Sequence, residues 1–220
     1  LIEKYISISG YIDHYTFPWL KYRITSPSVG RDYLLQFNFN PSNSISSYIR
    51  YRFKNKQEDY RLDFHYVPQI GNIRHNSLRF FISYKVFDHF IFKNRLDVVV
   101  YKDELSNKEN GYLIYQDVLY RPKEFPVDLS FRYLLFDTEG FNSRIYTYEN
   151  DVLYAFSIPA YFNSGQRWYL MLKWNIIPDI SMWLRYARTT FFNQNTVGSG
   201  NDLIIGNSKS EIKVQVKIKL

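Results

Sequence analysis

Apolar and polar side chains alternate along much of this chain, and this period of two constrains its fold more than any other feature. In its last segment Ile212, Val214, Val216, Ile218 and Leu220 alternate with Glu211, Lys213, Gln215, Lys217 and Lys219. A β-strand sends successive side chains to opposite faces, so such a segment has one greasy side and one charged side. The pattern recurs upstream. Val127, Leu129, Phe131, Tyr133 and Leu135 oppose Asp128, Ser130 and Arg132, and Leu78, Phe80, Ile82, Tyr84 and Val86 oppose Arg79, Ser83 and Lys85. Ile49, Tyr51 and Phe53 oppose Arg50, Arg52 and Lys54, and Tyr60, Leu62, Phe64 and Tyr66 oppose Arg61, Asp63 and His65. Leu96, Val98 and Val100 oppose Asp97, and Trp168, Leu170, Leu172, Trp174 and Ile176 oppose Arg167, Lys173 and Asn175.

Turn chemistry separates the runs at Pro41–Ser44, Asn55–Asp59, Asn107–Gly111, Asn163–Gly165, Pro178-Asp179 and the polar stretch Asn193–Ser208. Composition agrees with an all-β fold. Alanine, the best helix former, occurs only at Ala155, Ala160 and Ala187, whereas 21 Tyr and 18 Phe suit a pleated, half-buried surface. No repeat or linker divides the chain, so residues 1–220 read as a single domain. Because the chain begins at Leu1 rather than Met, it is expected to be a C-terminal portion of a longer protein.

A soluble sandwich and a membrane barrel both have one apolar face. Three features favour the barrel. The strands look long, at about 9–12 residues, where soluble strands average about 5–6 and a tilted membrane strand needs about 9–11. Aromatics sit at the ends of the apolar stripes, at Tyr60, Tyr66, Trp168 and Trp174, as in the aromatic girdles of membrane barrels. The chain also ends inside a strand, as when a closing strand leaves no open edge. A mean hydropathy of −0.36 would disqualify a helical membrane protein but suits a barrel, half of whose strand positions face water. The expectation is an all-β, antiparallel transmembrane β-barrel with about 12–14 strands, complete or part of a larger barrel, in a bacterial outer membrane. Short turns should then alternate with longer loops.

The net charge is +7, and Arg50, Arg52, Arg61, Arg79, Lys85, Arg132, Arg185, Lys213 and Lys217 are all expected on the interior face. Such a set reads as an anion-selective path or a seat for an acidic plug, or else as partners for carboxylates such as Asp63, Asp97, Asp128 and Glu211. Catalytic chemistry finds little support. His14, His65, His75 and His89 have no zinc spacing, Cys is absent, and Gly198-Ser199-Gly200 lacks the rest of a nucleotide fingerprint. Asp63 and His65 share a strand face, and Ser83 lies near Lys85, but nothing in the sequence links them into a nucleophilic site. No metal or cofactor is expected. The acidic pair in Tyr148-Glu149-Asn150-Asp151 reads as a cation ligand or, preferably, as part of a hydrogen-bond network with nearby arginines.

Residues Arg144–Phe156, Gly198–Asp202 and Gly206–Glu211 carry a resemblance that spans roughly residues 125–220. This part resembles the C-terminal region of large outer-membrane proteins from Bacteroidota, many of them described as helix–hairpin–helix proteins for a motif in their N-terminal part. The resemblance implies an outer-membrane barrel domain. The helix–hairpin–helix motif is not in this chain, so nucleic-acid binding does not carry over. The expected role is non-enzymatic: a pore, scaffold or partner-docking component with a basic lumen. Its partners would be outer-membrane lipid or lipopolysaccharide and other outer-membrane or periplasmic proteins. A nucleic-acid uptake or binding protein and an outer-membrane hydrolase are the alternatives.

Overall fold

The computed structural model describes residues 5–61 and 67–219. The chain is all-β and is dominated by one ten-stranded antiparallel sheet. Its strands are β1 (Ile6–Phe17), β2 (Ser28–Ser42), β3 (Ile45–Tyr60), β4 (Gln69–Phe87), β5 (Phe90–Lys102), β6 (Lys108–Tyr120), β7 (Val127–Thr138), β10 (Ser164–Ile177), β11 (Ile180–Phe191) and β14 (Ser208–Ile218). They pair in chain order, each with its sequence neighbours. Two-residue strands form two small ribbons: β8 (Ile145–Tyr146) with β9 (Ala160–Tyr161), and β12 (Thr196–Val197) with β13 (Ile204–Ile205). The edges of the large sheet are β1 and β14, and among the described residues no pairing joins them.

Connections alternate between the two ends of the sheet. At one end lie the tight turns 43–44, 88–89 and 178–179 and the short connection 121–126. At the other end lie 18–27, 61–68, 103–107, 139–163 and 192–207. The alternation of short turn and longer loop therefore holds along the described meander except at 103–107, whose five residues are fewer than the six of 121–126. Two earlier expectations change. Asn55–Asp59 is not a turn: β3 runs through it, paired residue for residue with Asn72, Gly71 and Ile70 of β4 through Gln57, Glu58 and Asp59. The sheet contains ten long strands, and only the four two-residue strands bring the number to 14. Of the strand expected at Tyr60–Tyr66, only Tyr60 and Arg61 lie among the described residues.

The two faces of the sheet differ in what covers them. Residues 139–163 leave the end of β7, fold back over one face and rejoin the sheet at β10. We call this segment the strap. On the face it covers, Leu113, Tyr115, Leu134 and Phe136 of β6 and β7 pack with Ile145 and Tyr161 of the strap in one buried cluster. Gly111 lets the strap in. A Cβ there would collide with the Ser143 backbone carbonyl, which lies closer than any real Cβ contact.

The opposite face is bare. Ile49, Phe80, Leu96, Ile114 and Leu135 are cross-strand neighbours in one row from β3 to β7. All five are exposed. A second row joins Leu129, Leu172, Leu184 and Val214. At these positions burial runs against polarity: Phe80 is 42% exposed and Val214 62%, while Arg132 is 4% and Arg185 1%. Adjacent residues should report the difference. Leu134→Ala removes a fully buried side chain and should cost ~2–5 kcal/mol in urea unfolding. Leu135→Ala, on the bare face, should cost well under half as much.

Candidate functional site

The strap crosses the covered face at right angles to the logic of the sheet: it makes few backbone bonds to the strands and is held by side chains instead. Arginines from every second strand of the sheet, β5, β7 and β11, reach alternate positions of its extended stretch. Arg95 of β5 donates to the Tyr146 carbonyl at 2.9 Å and to Thr147 Oγ1 at 3.1 Å. Arg132 of β7 donates to the Tyr148 carbonyl at 2.6 Å and to Thr147 Oγ1 at 3.3 Å. Arg185 of β11 donates to the Asn150 carbonyl at 3.1 Å, and the Asn150 N–H donates to the Tyr169 hydroxyl at 3.2 Å. These contacts satisfy main-chain polar groups that would otherwise lie buried without partners. Tyr146 and Tyr148 point their own side chains away from the sheet and stay exposed.

Glu149 is the centre of this arrangement and is fully buried. Its two oxygens accept from both arms of the Arg167 guanidinium, at 2.8 and 3.0 Å, from Arg185 and from the Tyr161 hydroxyl. Arg167 also donates to Thr189 Oγ1 at 2.7 Å, and Glu211 of β14 lies 3.3 Å from Arg167 and 3.5 Å from Arg185. One residue pair further on, Asp151 accepts from Lys213 of β14 at 2.6 Å. Arg132 is held from the other side by a two-pronged pair with Asp117, at 2.5 and 2.7 Å, and its guanidinium lies 3.8 Å from the centre of the Tyr115 ring. Burial by itself raises the pKa of Glu149. The hydrogen bonds and charge of Arg167, the Tyr161 hydroxyl and the charge of Arg185 outweigh that and hold the carboxyl below the ordinary glutamate range.

Beside the strap lies a cleft of about 430 Å³. Its wall is the inner side of β3 to β5, including Arg50, Arg52, Lys54, Lys56 and Arg79, and its other side is the start of the strap at Asn142–Tyr146.

The residues expected from the sequence to face the interior fall as follows. Arg50 points to the covered face and donates to Gln36 at 2.6 Å, and Arg52 forms a two-pronged pair with Asp32 at 2.8 and 2.5 Å. Arg79 pairs with Asp97 at 2.6 Å. Arg132, Arg185 and Lys213 hold the strap as described. Lys217 lies half-buried near the short-turn end, across from Ser181. Two lie at the ends of their strands. Arg61 lies beyond the end of β3 and is exposed, because the strand pairing stops at Tyr60. Lys85 lies at the short-turn rim, exposed, with Asp88 at 3.4 Å.

Of the aromatics, Trp168 and Trp174 lie on the bare face, six residues apart on β10. Tyr60 does not join them. Without a bulge in β3 it shares the parity of Arg50 and Arg52, and its ring lies against the Gly71 position. Tyr66, Asp63 and His65 lie outside the described residues. Among the described residues no group of three or more histidine or acidic side chains converges as a metal site. Of the carboxylates expected as partners, Asp97 and Glu211 join buried pairs, while Asp128 lies 3.8 Å from Lys173 nearer the surface.

Sequence reasoning did not single out Arg95, Arg167, Asp117, Thr147 or Tyr169 as a site. Strand parity places Arg95 and Arg167 opposite Leu96 and Trp168, so their direction was available; their common target, a segment outside the sheet, was not. No protein-family model, curated protein or solved structure matches the chain.

Removing the carboxylate should expose how much depends on it. Glu149→Gln leaves two buried guanidiniums with only the more distant, partly exposed Glu211 and, for Arg185, Asp151 as counter-charges, and should lower stability by ~3 kcal/mol, read as a shift in urea midpoint with far-UV dichroism preserved. A carboxyl with a depressed pKa contributes stability above its unfolded pKa, and that contribution is lost as pH falls through the folded value. The urea midpoint should therefore hold steady from about pH 7 downward and fall below the ordinary glutamate range, and Glu149→Gln should flatten that acid limb.

Proposed function

We propose that this chain forms the wall of a transmembrane β-barrel in a bacterial outer membrane, with the strap as a built-in plug across its interior. The single observation that carries the reading is the inversion of burial: rows of exposed Phe, Leu, Ile and Val on one face, and buried arginines, carboxylates and threonines on the other. A water-soluble protein would lose free energy on both faces at once. Hydrocarbon against the bare face removes the first cost, and the strap's ion pairs remove the second.

Three further features support the reading. The ten long strands run 11 to 19 residues, enough to cross a bilayer when tilted. The two-residue turns gather at one end and the longest loops at the other, as in outer-membrane barrels. Trp168 and Trp174 stand about 20 Å apart along β10, at roughly 3.4 Å per residue, which in a strand tilted by ~40° sets two bare-face aromatics at depths ~15 Å apart. With an even number of strands in the meander, β1 and β14 run antiparallel, so direct pairing or an inserted even number of strands closes the wall without a parallel junction. The resemblance to Bacteroidota outer-membrane proteins points the same way.

Within that barrel the strap makes the resting state a plugged pore or scaffold rather than an open channel. Its exposed aromatics, Tyr146, Tyr148, Tyr154 and Phe156, face away from the wall and offer a surface to whatever occupies the remaining interior.

Depth-dependent quenching tests membrane insertion. In single-tryptophan variants folded into vesicles of brominated lipid, Trp168 and Trp174 should be quenched and Trp183, buried on the covered face, should not. A chain that folds as a soluble monomer without detergent, with Trp174 unquenched, would overturn the reading. In planar bilayers the native chain should show little conductance, while Glu149→Gln combined with Asp151→Asn should open larger, anion-biased steps.

A further inference from the structure

The strap neutralises one half of the covered face and not the other. Glu149 and Asp151 meet Arg167, Arg185 and Lys213 on β10, β11 and β14. Over β3 and β4 the strap supplies no carboxylate to the cleft. It supplies Arg144, another cation.

Six cations line the cleft: Arg50, Arg52, Lys54, Lys56, Arg79 and Arg144. Three carboxylates pair with them: Asp32 with Arg52, Asp97 with Arg79, and Glu58 with Lys56. Asp97 is shared with Arg95 as well. Lys54 stands 3.9 Å from Asp32, outside hydrogen-bond reach. Arg50 uses its Nε on the neutral Gln36. Arg144 donates to the Tyr146 hydroxyl and the Phe141 carbonyl, both at 2.7 Å, and stacks with its guanidinium 4.1 Å from the Phe141 ring centre. Arg50 and Arg144 are thus fixed in position by neutral partners, with no acidic partner among the described residues. Like charges held together in a recess focus a positive potential, which is relieved by a ligand of opposite sign rather than by diffuse salt.

We propose that this cleft is a binding site for a small phosphorylated solute of the diphosphate class. Arginine forks match the paired oxygens of a phosphoryl group, and Lys54 and Lys56 add mobile point charges. A recess of this volume accommodates a small organic ligand. Leu34, Val99 and Ile145 give it an apolar side, on which the uncharged part of such a molecule can rest. The cleft lies on the face away from the bare apolar rows, so lipid headgroups do not reach it. Its geometry is independent of membrane insertion, and the two ideas can therefore fail separately.

The test is calorimetric titration of the detergent-folded chain with inorganic pyrophosphate, with sulfate and chloride at matched ionic strength as comparisons. Pyrophosphate should bind, and sulfate should bind at least about tenfold more weakly. Arg50→Gln with Arg144→Gln should weaken pyrophosphate binding by about tenfold or more while the dichroism spectrum is unchanged. Arg144→Lys should restore part of that loss. Lys123→Gln with Lys219→Gln, at the opposite end of the sheet, should leave binding as in the native chain. Equal binding of pyrophosphate and sulfate, or native affinity in the Arg50/Arg144 double variant, would overturn the proposal. So would retention of an oligonucleotide with no pyrophosphate binding.

Discussion

A single buried carboxylate organises the covered face. Glu149 sits where two guanidiniums and a phenol converge, and each of these would be costly to bury without it. Arg167 and Arg185 come from neighbouring strands of the sheet, and Tyr161 from the returning limb of the strap. The one acidic group therefore ties the outgoing limb of the strap to its return and to the wall. Once it is in place, the carbonyls of Tyr146, Tyr148 and Asn150 fall within reach of Arg95, Arg132 and Arg185. Irregular backbone can lie across a sheet in this way because side chains supply the donors that a neighbouring strand would otherwise provide.

The same constraint explains what could be read from sequence and what could not. Where one side of a strand meets only polar groups, as in β14 and in the first half of β7, alternation is plain and the direction of Arg132, Lys213 and Val214 follows from parity. In β6 and the second half of β7 it blurs. Leu113, Tyr115, Leu134 and Phe136 are apolar on the covered side because Ile145 and Tyr161 pack on them, while Tyr112, Ile114 and Leu135 are apolar on the bare side. A strand greasy on both faces has no period of two, so pattern alone does not find its inward residues.

The turn chemistry at Asn55–Asp59 misled for a related reason. Polar residues cluster there, but Lys56 pairs with Glu58 within the strand and Gln57 and Asp59 serve neighbouring backbone N–H groups at Val29 and Thr25. The strand stays extended because its polar side chains find partners on either side of it. The candidate site was legible in its chemistry, an acidic pair expected to meet arginines, but not in its geometry. Nothing in the local pattern of residues 144–156 says that an extended segment leaves the sheet and returns across it.

The strap touches β5, β7, β10, β11 and β14 through side chains, yet beyond its first residues it leaves β1 to β4 unbridged. One sector of the sheet is cross-braced like ribs bound by a tie, and the other is held by strand pairing and by side-chain pairs between adjacent strands. Any change in the curvature of the sheet would be taken up in the unbraced sector, so the molecule is mechanically lopsided: stiff where the strap lies across it and compliant where it does not.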